Sequence, residues 1–164
     1  TSGSADVQWT IANNSVSGFE YDGIYFEISE MSGDAGGLEG TLDVLVTGNT
    51  VTDNGNTGIE LSISPYNFTG TQNILVEGNT ITGNSNVGLL LSVSSQQDVT
   101  VNSIQIRDNV IDSNMGGGLY LWIEEWWPGG TPTNPTLVSG NTMTNNAIDC
   151  NAADPSFRRS KNVV

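Results

Sequence analysis

A short pattern that recurs along the chain constrains its fold more than any other feature. Residues 44–54 read VLVTGNTVTDN, and residues 74–84 read ILVEGNTITGN. The same pattern returns at residues 104–114 and 136–146 and, more loosely, at residues 9–19. The asparagine at its centre therefore recurs at a spacing of 30–35 residues, which is the period of a repeat architecture; its positions are Asn14, Asn49, Asn79, Asn109 and Asn141.

The first four copies each lead to a glycine and then to a segment in which apolar and polar residues alternate. In the second copy this segment runs from Ile59 to Ile63, directly after Gly58. Such alternation is typical of a β-strand with one buried face. We expect the glycines to provide either a positive φ or room for a close approach of the backbone; they are Gly23, Gly58, Gly88 and Gly118.

Each repeat therefore contains three short strands separated by turns rich in Asn and Gly. In the second copy the strands centre on residues 44–46, 51 and 59–63. A unit of this size cannot bury its apolar face alone, whereas stacked units bury a continuous interior. The sequence thus predicts an all-β solenoid in which equivalent strands pair in parallel, about 4.8 Å apart.

The recurring string I-x-V-x-x-N-x-I-x-x-N-x-x-x-G-I-x-L closely resembles the repeat of right-handed parallel β-helix proteins. That repeat occurs in pectate-lyase-like proteins, alginate-modifying lyases and epimerases, phage tailspikes and many surface proteins. The similarity covers roughly residues 7–150. It implies one right-handed parallel β-helix domain over residues 1–164, with about five coils and three strands per coil. It does not imply one activity, because this fold carries many.

The asparagines are predicted to be structural. At equivalent turns of stacked coils, Asn side chains can hydrogen-bond along the axis of the solenoid. The first predicted ladder is Asn14, Asn49, Asn79, Asn109 and Asn141, and the second is Asn54, Asn84, Asn114 and Asn146.

The balance of charge limits the possible partners. The chain has 18 acidic and 4 basic residues, a formal net charge of −14, which argues against nucleic acid as a partner. No apolar run approaches the roughly 20 residues of a membrane span.

We expect a secreted or cell-surface protein. No cofactor is evident from the sequence. Acidic loop residues such as Asp34, Glu39 and Asp43 are candidate calcium ligands, but their spacing resembles no known calcium-binding loop.

Insertions are expected at one corner of the solenoid, near residues 29–43, 64–73, 94–103 and 124–136. Loops on one flank of a repeat protein commonly carry its binding function. Asn67 lies in one of these segments, within an Asn-Phe-Thr sequence that is a candidate acceptor for N-glycosylation.

The outward side chains of the third strand are predicted to form rows across the coils. One row is Tyr25, Glu60, Leu90 and Tyr120, a second is Glu27, Ser62, Ser92 and Trp122, and a third runs through Ser29, Ser64 and Ser94 to Glu124. Aromatic rings bordered by carboxylates suit stacking on sugars. The glycan-binding candidates are therefore Tyr25, Glu60, Tyr120, Trp122, Glu124, Trp126 and Trp127. Alternatively, the long loop folds back and its tryptophans form a small core over the sheet.

Catalysis is the alternative function. The resemblance to pectate and alginate lyases implies a Lys or Arg base on this face, often with calcium, but no basic residue is predicted there; Arg107 belongs to the first strand of its coil. Glu27 and Glu60 remain as candidates for a two-carboxylate hydrolase. We expect an extracellular structural or glycan-contacting module. The alternative is a fragment of a lyase, epimerase or hydrolase that acts on acidic polysaccharide.

The last residues suggest the beginning of another coil, since residues 161–164 resemble residues 72–75. Two interpretations follow: a segment of a longer β-helix, or a solenoid whose ends stack into a filament. In a filament, the basic Arg158, Arg159 and Lys161 would meet acidic residues such as Glu30 and Asp34. The predicted partners are thus a polysaccharide or neighbouring copies of the chain itself.

Overall fold

A computed structural model of the protein describes residues 3–4, 6–30, 38–66, 68–95, 99–125 and 136–147. Every regular element within these ranges is a β-strand. The described part of the chain contains no helix with the length and apolarity that a membrane span requires.

The strands form three sheets, one on each side of the solenoid. The first sheet contains β1 (Gly3–Ser4), β2 (Val7–Ala12), β5 (Leu38–Thr47), β8 (Phe68–Glu77), β11 (Val99–Arg107) and β14 (Leu137–Ser139). The second contains β3 (Ser15–Ser17), β6 (Thr50–Thr52), β9 (Thr80–Thr82), β12 (Val110–Asp112) and β15 (Thr142–Thr144). The third contains β4 (Ile24–Glu30), β7 (Ile59–Tyr66), β10 (Val87–Ser95) and β13 (Gly117–Glu125).

Equivalent strands of successive coils pair in parallel and in register. In the first sheet Val44 lies opposite Ile74, and Ile74 lies opposite Ile104. In the second sheet Val51 lies opposite Ile81, and Ile81 opposite Ile111. The predicted all-β solenoid of about five coils, with three strands per coil, is confirmed.

The core is a continuous column of aliphatic side chains. Inward positions stack because the register is kept, so each Val, Ile or Leu contacts its equivalents one coil away. Val51, Ile81 and Ile111 are completely buried. Complete burial of such a side chain contributes roughly 1.5–3 kcal/mol, and β-branched residues also suit the extended backbone. The hydrophobic effect thus holds the coils together.

Two ladders of asparagines run along the edges of the second sheet. The backbone N–H and the Nδ2 of Asn49 both donate to Oδ1 of Asn79, each at 2.9 Å, and the same Nδ2 donates to the carbonyl oxygen of Ile11. This arrangement repeats through the first ladder, from Asn14 to Asn141. The second ladder links Asn54, Asn84, Asn114 and Asn146 in the same way.

A residue in the left-handed conformation precedes every ladder asparagine. Gly48, for example, has a φ of 64°, and Asp53 has a φ of 55°. Gly, Asn and Asp adopt this conformation most readily, which explains their frequency at these turns. The other residues of this kind are Asn13, Gly78, Asp108 and Gly140 before the first ladder, and Gly83, Ser113 and Asn145 before the second.

The glycines before the third strand are needed for a different reason. None of Gly23, Gly58, Gly88 and Gly118 has a left-handed φ of the kind that the turns use. A Cβ atom on Gly58 would lie 2.5 Å from Cγ2 of Ile81 and 2.7 Å from Nδ2 of Asn84. The structure therefore supports a close approach of the chain, rather than a positive φ, as the reason for a glycine at position 58.

Three of the four expected insertion loops are largely strand in the described residues, which corrects the prediction from the sequence. β5 begins at Leu38 and β8 at Phe68, so strands cover much of the segments 29–43 and 64–73. β11 begins at Val99, within the expected loop 94–103. Polar, Gly-containing segments suggested loops, but in register with the same segments of neighbouring coils they form parallel ladders.

Gln72 breaks the apolar pattern of the interior. It lies between Leu42 and Val101 in the first sheet and is completely buried. Neither its Oε1 nor its Nε2 makes a hydrogen bond with any group in the described residues. Burial of an amide without protein partners costs free energy that an aliphatic side chain would avoid.

A buried ladder asparagine should matter far more than an exposed one. We expect Asn79→Ala to lower the free energy of unfolding by about 3 kcal/mol, because it leaves buried donors and acceptors of both neighbouring coils without partners. Asn86→Ala is the control, since Asn86 is exposed and donates one hydrogen bond, to Asn56; we expect a loss below about 1 kcal/mol. Urea unfolding measures both, and equal losses would contradict a structural role of the ladder.

Replacement of the buried amide should stabilise the solenoid. We expect Gln72→Leu to raise the free energy of unfolding by about 1–3 kcal/mol, because leucine already occupies the equivalent position 42 and removes two unsatisfied atoms. Gln105→Leu is the control, as Gln105 is only partly buried and donates to Ser103. Thermal and urea unfolding provide the measurement; a lower midpoint for Gln72→Leu would disprove this explanation.

Candidate functional site

The outer face of the third sheet carries most of the candidate residues. Leu61 and Leu91 point into the core, so the residues between such inward positions lie on the outer face. Tyr25 pairs with Glu60, Glu60 with Leu90, and Leu90 with Tyr120. The structure therefore aligns these four residues in one row, which crosses four coils.

A second row lies beside the first. Its members are paired in order along the axis: Glu27, Ser62, Ser92 and Trp122. A third row is shorter. The hydroxyl of Ser94 donates to that of Ser64 at 2.5 Å, and Ser94 pairs with Glu124.

The third row becomes irregular at Ser29. Regular pairing between β4 and β7 ends at Ile28 and Ile63, and the register then shifts so that Glu30 lies opposite Tyr66. Ser29 therefore has two residues of β7, Ser64 and Pro65, opposite it. Proline has no N–H for the ladder and is found at such irregularities.

The first coils bring one tyrosine and three carboxylates together. The hydroxyl of Tyr25 donates to Oε2 of Glu27 at 2.7 Å. Asp22 is held by the backbone N–H of Thr57 at 2.9 Å and by Nδ2 of Asn56 at 2.8 Å. Together with Glu60, these residues form what we call the acidic cluster: Asp22, Tyr25, Glu27 and Glu60.

Burial and neighbouring charges change the pKa values of two members of the acidic cluster. Partial burial raises the pKa of Glu60 above its ordinary value, and the negative charges of Asp22 and Glu27 raise it further. The pKa of Tyr25 is raised mainly by its hydrogen bond to Glu27. Glu60 therefore keeps its proton to a higher pH than an isolated glutamate.

The chemistry of this face suits polyhydroxy ligands. Tyr25 is 55% exposed and presents an aromatic ring beside carboxylate oxygens that accept hydrogen bonds. Arg107 lies on the first sheet and forms an ion pair with Glu77 at 3.1 Å. The described outer face of the third sheet carries no Lys or Arg.

Some of the remaining candidates lie within the described residues and others lie outside them. Tyr120 and Trp122 lie on β13, about 14 Å along the axis from the β4 positions at three coil steps. Glu124 belongs to the same strand. Trp126, Trp127 and the glycosylation candidate Asn67 lie outside the described residues, and so do Asp34 and the basic residues of the tail. Of the four aromatic candidates in residues 120–127, the structure therefore describes Tyr120 and Trp122.

The described residues contain no complete set of carboxylate ligands for calcium. Within them no three carboxylate, Cys or His side chains converge on one point that a metal ion would occupy. Oδ1 of Asp43 accepts a hydrogen bond from Asn73 instead. Glu39 lies on the same strand, β5, and the third candidate ligand, Asp34, lies outside the described residues.

Asp22 is the member of the acidic cluster that the sequence did not reveal. In the described structure it begins an outer ladder, in which Asn56 donates to Asp22 at 2.8 Å and Asn86 donates to Asn56 at 2.9 Å. Asn56 and Asn86 occupy the same repeat position, but Tyr21 occupies it in the first coil. Because Asp22 is displaced by one residue, alignment of the repeats does not find it.

The raised pKa of Glu60 predicts a dependence of stability on pH. The folded state disfavours ionised Glu60, so this residue lowers stability once the pH rises through its folded pKa and has no such effect below the ordinary range of glutamate. We expect Glu60→Gln to raise the urea midpoint at about pH 8, with the gain vanishing near pH 3.5. Glu20→Gln controls for the change in net charge. A gain that is largest at low pH would contradict the assignment.

Comparison with known proteins agrees with this geometry. The family model described as a right handed beta helix region matches residues 8–125, well over half of the chain. No curated protein and no solved structure matches the chain significantly. The matched residues include most of the first four coils and the described outer face of the third sheet. The chain therefore belongs to the right-handed β-helix family.

Proposed function

We propose that the protein is an extracellular β-helix module that contacts a polysaccharide, without catalysis, through the outer face of its third sheet. One observation carries this proposal. The exposed ring of Tyr25 is held by Glu27 beside Glu60, in a row that continues through Leu90 to Tyr120.

The face offers the two kinds of contact that sugars use. An aromatic ring stacks on the C–H face of a pyranose, and carboxylate or hydroxyl oxygens accept hydrogen bonds from its hydroxyl groups. Glu60 lies between Tyr25 and Leu90 along the first row, and Ser62 and Ser92 lie between Glu27 and Trp122 in the second. Polar groups therefore lie between aromatic residues along about 14 Å of the axis.

The charge of the face favours some polysaccharides over others. Asp22, Glu27 and Glu60 make its first coils acidic, and the whole chain carries a formal charge of −14. An acidic polysaccharide would be repelled, at low salt most of all. The preferred ligand is accordingly a neutral or amino-sugar polysaccharide. An extracellular location accords with such a ligand and with the acidic composition.

Hydrolysis is the second candidate function. Its support is the raised pKa of Glu60 near the carboxylate of Glu27. Two carboxyl groups with different proton affinities are the usual acid and base, or acid and nucleophile, of a glycosidase. Tyr25 occupies one oxygen of Glu27 with its hydroxyl, and this contact favours binding over attack by Glu27 on a sugar.

Binding should depend on the aromatic residues of the face. We expect calorimetric titration with neutral and amino-sugar oligosaccharides to detect an affinity that Tyr25→Ala and Trp122→Ala each weaken about tenfold, through loss of ring stacking. Tyr21→Ala is the matched control, since Tyr21 is 73% exposed but lies in the turn before the face, and it should bind as the native chain does.

Three results would contradict the proposal. The first is equal loss of affinity in all three variants, and the second is no binding to any oligosaccharide of the panel. The third is turnover of a polysaccharide that Glu60→Gln abolishes, because the face would then be the active site of a hydrolase.

A further inference from the structure

The negative charge on the outer face of the third sheet is concentrated around Glu60. Its neighbour along the first row is Tyr25, whose hydroxyl binds Glu27, and Asp22 lies close enough to raise the pKa of Glu60. Arg107 is the one basic residue in the described part of the chain, and it lies on the first sheet. The acidic cluster therefore has no cationic partner among the described residues.

The three carboxylates of the cluster differ in the hydrogen bonds that they accept. Oδ1 of Asp22 accepts two from the second coil, and Oε2 of Glu27 accepts one from Tyr25. Glu60 is partly buried, and no group in the described residues donates to it. A partly buried carboxylate is stabilised by a hydrogen-bond donor, most strongly by a charged one. Glu60 is therefore the position on this face that a cationic donor suits best.

An organic cation suits the cluster better than a bare metal ion. No three carboxylates of the described residues converge on one point, as calcium requires at about 2.3–2.6 Å. An amino sugar instead spreads an ammonium group and several hydroxyl groups around one ring, so its donors reach separate oxygens at about 2.8 Å. The ring of Tyr25, which is 55% exposed, offers a stacking surface beside the carboxylates and also attracts a nearby ammonium.

A neutral sugar would leave the charge of the cluster unbalanced. A ring that covers Glu60 removes water from a carboxylate that is already partly buried beside two other negative charges, and neutral hydroxyl groups replace only part of that hydration. A protonated amine replaces the lost hydrogen bonds and also reduces the repulsion among the carboxylates. Charge complementarity therefore distinguishes among the polysaccharides that the proposed function allows.

We propose, as an extension that rests on the proposed function, that the sugar bound at the first two coils carries a protonated amine that donates to Glu60. The ring of this sugar stacks on Tyr25, and its hydroxyl groups donate to the neighbouring carboxylates of the acidic cluster. The next sugars lie along the uncharged part of the first row, at Leu90 and Tyr120, where no amine is needed. The ligand is thus an amino-sugar polysaccharide with at least one free amine in each bound stretch.

The contact couples binding to the protonation of Glu60. Among the described residues, Glu60 faces Asp22, Tyr25 and Glu27 on the first coil and Leu90 on the third. A positive charge beside a carboxyl group favours its ionised form, so binding of the amine releases a proton wherever free Glu60 is still partly protonated. The affinity for an amine-bearing sugar should therefore fall as the pH is lowered through the pKa of Glu60, whereas the affinity for an uncharged sugar should not.

Three tetrasaccharides with the same linkage test the proposal: one of glucosamine, one of N-acetylglucosamine and one of glucose. We expect calorimetric titration of the 164-residue chain to show about tenfold tighter binding of the glucosamine tetrasaccharide than of the other two. Glu60→Gln should reduce this preference to about twofold or less. Asp108→Asn is the matched control, because it removes one charge at an exposed turn between the first and second sheets, and it should keep the full preference.

Proton release gives a second readout. At about pH 5, titrations in two buffers with different heats of ionisation should show a proton released on binding of the glucosamine chain and none on binding of the glucose chain, and Glu60→Gln should abolish the release. Equal affinity for the three sugars, or a preference that Asp108→Asn loses as fully as Glu60→Gln, would overturn the role of the amine and leave the proposed function in place. Absence of binding to all three would overturn the proposed function, and the role of the amine with it.

Discussion

The buried asparagine ladders are the constraint on which the rest of the structure depends. A buried amide is tolerated only where its donors and acceptor are satisfied, and each of these amides is satisfied by the coils on either side. A slip of one residue between coils would leave several buried polar groups without partners. Aliphatic side chains provide most of the stabilisation of the core, and a one-residue slip would also turn them away from it. The ladders and the alternation of inward apolar residues therefore fix the register together.

The alignment of side chains on the outer face of the third sheet follows from this register. Tyr25, Glu60, Leu90 and Tyr120 lie in one row because the inward residues beside them are held in register. The fold does not require the particular side chains of the row, since they point away from the core. Glu60 is partly buried beside two other carboxylates, and its raised pKa is an electrostatic cost that the leucine at the equivalent position 90 avoids. Departures of this kind from local stability are characteristic of functional surfaces.

The sequence predicted the fold well because every coil repeats the same buried asparagines and apolar residues at the same positions. Asn79 and Val76 recur in register with their equivalents, so their stacking follows from the period alone. Features that depend on one coil were harder to predict. Asp22 is displaced from the position of Asn56, and the register shift beside Pro65 makes the pairing of Ser29 irregular. The expected loops were too long because Gly, Ser and Thr suggest turns, whereas stacked copies of such segments pair as strands.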